Sequence, residues 1–455
     1  MIIRSLLLVS SIFLLTACKE DVPMATSETS DGGHAYTLII IPDHDYVSIQ
    51  IAWGTDWAYR SDTNKAAPYI GTELILAGGA EGYPAGEVAE LFADLDSEGF
   101  IYSAVNDHVI GELTFSPEHI TETVEVANAH LRAPTPDPVW FDRISTGLAE
   151  NMDEAQAQPA HAGFDAVRWA VYGEQSLRNA LSLDDPTTIA SITPDDVAAW
   201  HQETFTSTPE AIVIAGDITP EDAGAALDTL LSGLPAASRQ LSRAAEPDFS
   251  PRRILLHMPD AEVTTLGFIA PLPPTRQGGE MEDLILMHAL GGDDQSVLFN
   301  AVRTELRATY GFGAGMANYT RENRILAMTG EVETDKLAPA EKVVREAYAR
   351  FITEGLQGPL DDRKTSLEQH FEEMPENVVD QARSELQSAL DGFSAGRSLE
   401  LTTELAAVTV DSIKGRLIAA LPAPEAFLVI AVSPDATALP GACVISTPRE
   451  AADCR

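Results

Sequence analysis

Thiols and imidazoles are the side chains here that could do chemistry on their own, and both are scarce. The 455-residue chain has three cysteines and ten histidines. Cys18 ends the stretch "LTAC", where small residues follow an apolar run. A cysteine so placed can become the lipidated N-terminus of a cleaved, exported chain. Cys443 and Cys454 could close a small terminal loop in an oxidising compartment; two unpaired thiols near a loose tail fit the same spacing. His44, His108 and His161 could meet as a metal site only through folding, since nothing in their spacing requires a metal. No histidine lies between His44 and His108.

The elements around these residues start with the N-terminus. Arg4 supplies a positive start, and "SLLLVSSIFLL" is too short to span a membrane as a mature helix. Residues 1–18 resemble a bacterial lipoprotein signal with Cys18 as the lipidated residue. Residues 19–33 are polar, too poor in apolar side chains to pack, and read as a flexible tether. By resemblance to known sorting rules, Lys19 implies the outer membrane, so the expected location is the bacterial periplasm, lipid-anchored. The formal charge is −41, from 70 acidic and 29 basic residues. With no visible basic patch, that charge excludes nucleic acid as a natural partner and favours solubility.

The chain repeats itself once. "LIIIPDHDYVSIQIAWG" (38–54) is echoed by "ILLHMPDAEVTTLGFIAP" (254–271), "ELILAGG" (73–79) by "LMHALGG" (286–292), and Thr193 with its following helix by Thr409. Three echoes in order at nearly one offset argue for two similar domains, and the period is too long for a solenoid. "YVSIQIAW" alternates as a half-buried strand does, and "AIVIAGDI" reads as a buried strand. "AGEVAELFADLDSEG" has helical spacing, with Val88, Leu91, Phe92 and Leu95 on one face and Gly99 as its stop. "TPDDVAAWHQETF" opens with Thr193 as N-cap, Pro194 in the first turn and acids at the positive helix end. Strands mixed with long helices give an α+β class. The expected division is 34–235, a linker over 236–250, 251–445, and a tail over 446–455.

Over about 34–445 the chain resembles the M16 family of insulinase-like and mitochondrial-processing-type zinc peptidases. The likeness rests on "IAWGTDWAYRSD", on "YGEQSLRNALSLDDPTTIASITPDDVAAWHQETFTSTPEAIVIAGDITPED", and on "LGGDDQSVLFNAVRTELRATYGFGAG" (290–315). It implies two homologous LuxS/metallopeptidase-like domains, each an antiparallel-rich sheet with helices packed on it. Active members carry His-x-x-Glu-His on a helix, because residues i and i+4 share a face and can hold one Zn²⁺ while the glutamate activates its water. In "KAAPYIGTELILAGG" those three positions fall on Tyr69, Thr72 and Glu73. Neither histidine nor the base is present, and Glu150 is the best match to the remaining ligand. The resemblance therefore implies a degenerate zinc site and no metal in this chain.

The same resemblance supplies another chemistry. In M16 peptidases split into two chains, one chain carries the zinc and the other offers an Arg and a Tyr to substrate. Here the pattern reads Arg303-TELRAT-Tyr310, followed by "GFGAG". A guanidinium fork and a phenol hydroxyl can donate to one peptide carbonyl or oxyanion. Arg307 departs from the family, which often has Gly there. The implied function is the non-catalytic subunit of a two-chain periplasmic zinc peptidase, inactive alone, with zinc in a partner chain bearing His-x-x-Glu-His. The alternative is a catalytically dead binding or scaffold lipoprotein without such a partner. An autonomous peptidase is disfavoured, because the ligands and the base are both missing.

Overall fold

The computed structural model describes residues 23–308 and 311–455; Cys18 and Tyr310 lie outside them. The first half contains β1 (Met24–Thr29), β2 (Ala35–Ile40), β3 (Val47–Gly54), β4 (Ser97–Ala104), β5 (His108–Phe115) and β6 (Ala211–Gly216). Its helices are α1 (Ala67–Ala77), α2 (Val88–Asp94), α3 (Ile120–Arg132), α4 (Pro138–Gln156), α5 (Pro159–Tyr172), α6 (Ser176–Ser182), α7 (Pro186–Ala190), α8 (Pro194–Thr204) and α9 (Pro220–Leu231). The second half has β7 (Arg253–His257), β8 (Thr264–Leu272), β9 (Phe312–Asn318), β10 (Arg324–Val332), β11 (Leu428–Ser433) and β12 (Cys443–Ile445). With them come α10 (Glu280–Gly291), α11 (Leu337–Glu354), α12 (Leu360–Glu373), α13 (Val378–Leu390), α14 (Leu401–Ala407) and α15 (Val410–Ala420).

The strands form two six-stranded sheets, ordered β1-β2-β6-β3-β5-β4 and β12-β7-β11-β8-β10-β9. Five strands correspond one for one, so the repeat seen in sequence is a repeat of topology within an α+β fold. The sixth position differs. β1 runs antiparallel to β2, whereas β12 runs parallel to β7. Local signals recur too: Thr193 with Asp196 and Thr409 with Ser412 both make capping boxes, at the starts of α8 and α15.

Residues 24–29 correct the expected tether. They are polar, but as the edge strand β1 they need only backbone pairing to β2, and their turn is clamped. Ser30 Oγ donates to Asp228 Oδ1 (2.5 Å), and the Gly32 N–H to Asp228 Oδ2 (2.8 Å). The expected helix ending at Gly99 is also corrected. α2 stops at Asp94, Asp96 takes a left-handed φ of 48°, and Gly99 lies inside β4. Its lack of a side chain is used for packing, since a Cβ there would sit 2.9 Å from the Phe92 ring.

β3 was expected to be half-buried, yet all but its last residue are buried, Ser48 and Gln50 included. The cover on its second face comes from the other half of the chain. α13 presents Val378, Ala382, Leu386 and Leu390, spaced by four, to Ile39, Ala52, Ile110 and Val213. The exchange is reciprocal: α5 lays Ala162, Ala166 and Ala170 over Ile254, Ile269 and Ile430 of the second sheet. Its small side chains permit close approach, and a Cβ on Gly163 would lie 3.0 Å from Val432. Each sheet therefore completes its core with a helix from the opposite half.

Segment 236–250 contains no regular element but is pinned to the first half. Asp56 accepts from the Arg239 guanidinium (2.6 Å) and from the Ser242 N–H (2.9 Å), and Arg243 reaches Glu210 (2.8 Å). The C-terminal residues are not loose either. Cys443 and Cys454 are joined by a disulfide, and a 3-10 turn over Pro448–Asp453 packs on α5.

Candidate functional site

α1 carries the three positions assigned to the degenerate zinc site. Ala67, Ile70, Gly71, Leu74 and Ile75 face the core, and the remaining stripe faces outward. Gly71 is required by packing, because a Cβ there would lie 2.2 Å from the Trp200 ring of α8. Tyr69, Thr72 and Glu73 are on the outward stripe, and all three line a cleft of 970 Å³. The other walls are α2, the start of β4 and Trp140 of α4. Phe92, Phe100 and Ile101 give it an apolar floor, and Glu73, Asp96 and Glu98 give it carboxylates. β4 ends its sheet and pairs only with β5, so its second edge has no strand partner among the described residues.

The donors on α1 are committed elsewhere. The Tyr69 hydroxyl donates to the Ala180 carbonyl (2.8 Å), tying α1 to α6. Thr72 Oγ1 donates back to the Pro68 carbonyl (2.9 Å), a bond within its own helix. Glu73 is exposed and is the one metal-ligating side chain of the three. Glu150, on α4, is exposed and is not part of the cleft wall. This donor set does not fit a zinc site, which needs three protein ligands and a base beside the bound water. Among the described residues, no cluster of three or more His, Cys, Asp or Glu could hold a metal ion. His44, His108 and His161 are engaged separately, with the Glu376 carbonyl, Glu210 and Asp165.

Arg303 lies in a π-helical turn, Phe299–Glu305, with its side chain exposed while Ala301 and Val302 are buried. Such turns are rare and often mark functional sites. Arg307, at the position where glycine was noted as usual, has φ 56°. That is the left-handed region glycine adopts at little cost, so the backbone here suits a glycine although an arginine occupies it. Its carbonyl is held by Lys336 Nζ (2.8 Å).

Sequence reasoning missed the rest of the cleft. Tyr46 reaches across to Asp96 (3.1 Å), and this hydrogen bond raises the tyrosine pKa. Phe100 is 53 % exposed, an aromatic displayed on an edge strand. Its place in an otherwise plausible strand could have flagged it.

Comparison with known proteins accords with this geometry. Residues 191–358 match the family described as Peptidase M16 inactive domain. No curated protein matches the chain by sequence. Among solved structures, a peptidase M16 inactive domain from Pseudomonas fluorescens is 16% identical with a TM-score of 0.79, covering 90% of this chain and 98% of its own. A protease from Helicobacter pylori is 11% identical with a TM-score of 0.74, covering 90% and 99%. The first half of the periplasmic protease PqqL from Escherichia coli is 15% identical with a TM-score of 0.68, covering 94% and 96%. At these identities the structures establish a shared fold. The chain thus has the fold of M16 peptidases, residues 191–358 match that family's inactive domain, and the sequence carries no His-x-x-Glu-His zinc motif.

Proposed function

We propose that this chain is the non-catalytic subunit of a two-chain periplasmic M16 zinc peptidase, which holds an extended peptide for a partner carrying His-x-x-Glu-His. One observation carries this reading: the helix has lost its ligands, but the cleft it lines remains open. An unpaired strand edge beside a partly apolar trough suits an extended peptide, whose backbone adds to β4 while alternate side chains enter the trough. Arg303 and Tyr310 are the groups offered to substrate beside the partner's metal. Lipidation at Cys18 would anchor the chain, with the outer membrane as the expected site.

The test begins with the pure chain, which should bind no stoichiometric zinc and cleave no peptide. Mixing with a His-x-x-Glu-His chain encoded nearby should produce turnover, and Arg303→Ala should abolish turnover while leaving assembly intact. Normal cleavage by the mutant complex would remove the role given to Arg303. The second reading, a peptide-binding scaffold with no peptidase partner, is supported by Tyr69, whose hydroxyl is tied down at the first ligand position. It predicts that peptides bind the pure chain and that no partner confers cleavage.

A further inference from the structure

The chain after β12 crosses the seam between the two halves. β12 is a three-residue edge strand that pairs only with β7. Beyond it the backbone turns through Pro448–Asp453. Ala451 and Cys454, 0 % and 2 % exposed, join an apolar cluster with Ala162, Ala166 and Trp169 of α5, a helix of the first half. Arg449 adds an exposed ion pair with Glu174 (2.7 Å). The disulfide then ties Cys454 back to Cys443, eleven residues earlier. The segment is thus fastened covalently to the second sheet, and to the first half by packing and that one ion pair.

Two features set this disulfide apart from one that holds a core together. It closes a short terminal loop, so opening it frees at most the three-residue β12 from either sheet. Both cysteines also line an open pocket of 540 Å³, and Cys443 is half-buried rather than sealed. The arginines of that pocket wall are matched by carboxylates: Arg253 (2.6 Å) and Arg345 (3.3 Å) by Glu341, and Arg252 by Asp248. Access, not charge, therefore singles the bond out. A disulfide that a thiolate reaches in the folded state exchanges without prior unfolding.

We infer that the C-terminal segment is a redox-sensitive clasp on α5, opened by a dithiol. One thiolate of the dithiol bonds to Cys443 Sγ and breaks the Sγ–Sγ bond; Cys454 leaves as a thiolate and takes up a proton. The dithiol's second thiolate then attacks its own first sulfur in the mixed disulfide. That releases the Cys443 thiolate, which is protonated in turn. The dithiol is oxidised to a disulfide and the two cysteines are reduced, with two electrons and two protons transferred. A chain end holds its place only where it is tied down, so the opened segment lifts from α5 and uncovers that side of the seam. α13, the reciprocal helix, keeps its own packing on the first sheet.

The experiment equilibrates the full chain, without denaturant, in varied ratios of reduced and oxidised dithiothreitol. Thiols are counted by alkylation and mass, and amide hydrogen exchange is read segment by segment. The expected result is reversible opening with an unchanged far-UV circular dichroism spectrum. Exchange should quicken at least tenfold in 446–455 and in α5, and less than twofold in α13. The double variant Cys443→Ser, Cys454→Ser should show the same pattern without reductant and no further response to it. If that variant does not fold, the wild-type chain in reductant carries the test alone. A bond that opens only in urea would overturn the proposal. So would unchanged exchange in α5 after reduction, or an equal quickening in α5 and α13, which marks general destabilisation. None of these outcomes depends on peptide binding in the cleft.

Discussion

α1 and α10 occupy equivalent places in the two halves, and they meet their neighbouring edge strands differently. α10 sits directly against β9: a Cβ on Gly291 would lie 2.1 Å from the Ala314 nitrogen. It is also fastened through Asp283, fully buried, which accepts from Arg324 (2.6 Å) and from two nitrogens of Arg416 (2.7 Å). α1 has no such clamp. α2 and β4 stand around it, and the 970 Å³ cleft remains. One copy of the repeat is closed and held by buried ion pairs, while the other leaves an open cleft along a helix that carries no imidazole.

The contrast is tested most strongly at Asp283. Asp283→Ala leaves the buried Arg324 and the half-buried Arg416 guanidinium without their shared carboxylate and should destabilise by about 3–5 kcal/mol in urea unfolding. Glu73→Ala, on the open helix, should change stability by less than about 0.5 kcal/mol and instead weaken peptide binding. Equal stability losses would show that the two helices are not differently used.

The reciprocal helices come next. Leu386 of α13 is fully buried against the first sheet, and Leu386→Ala should cost about 2–5 kcal/mol. The loss should appear as one cooperative transition if the halves fold as a unit, and as two if they do not.

The sixth strands can also be set against each other. Cys443→Ser opens a covalently closed loop and should cost about 2–3 kcal/mol. Asp228→Ala, which removes only the hydrogen-bonded clamp on the β1 turn, should cost about 1–2 kcal/mol. At the motif in the second half, Arg307→Gly relieves a left-handed residue and should stabilise by up to about 1 kcal/mol, read as a raised Tm.

The last test concerns pH. Burial pushes the Glu210 carboxyl up, but hydrogen bonds from His108 and Arg243 outweigh it and hold the pKa at about 2, against an ordinary 4.5. Because the folded pKa is the lower one, the unfolded chain binds more protons between these values. The contribution is present above about pH 4.5 and is lost as pH falls towards 2. Glu210→Gln should flatten that part of the Tm profile.

Elements governed by short-range rules were legible in the sequence. Thr193 and Pro194 announced α8, because a cap and its first turn involve neighbouring residues. "AIVIAGDI" announced β6, because a continuous apolar run is what a strand covered on both faces requires. The readings that failed depended on distant partners. Residues 24–29 look unstructured until β2 offers an edge, and Gly99 looks like a helix stop until Phe92 needs the space. β3 looks half-solvated until α13 arrives from the other half.

The sequence by itself determined that the chain is a doubled α+β protein and that its α1 carries no imidazole, since repeats and residue types are covalent facts. Tertiary structure decided that a cleft opens on α1 and not on α10, that Cys443 meets Cys454, and that α5 and α13 each cover the sheet of the opposite half. Those outcomes depend on which surfaces exclude water from one another. That is settled by contacts between segments far apart in the chain, which no local pattern of residues encodes.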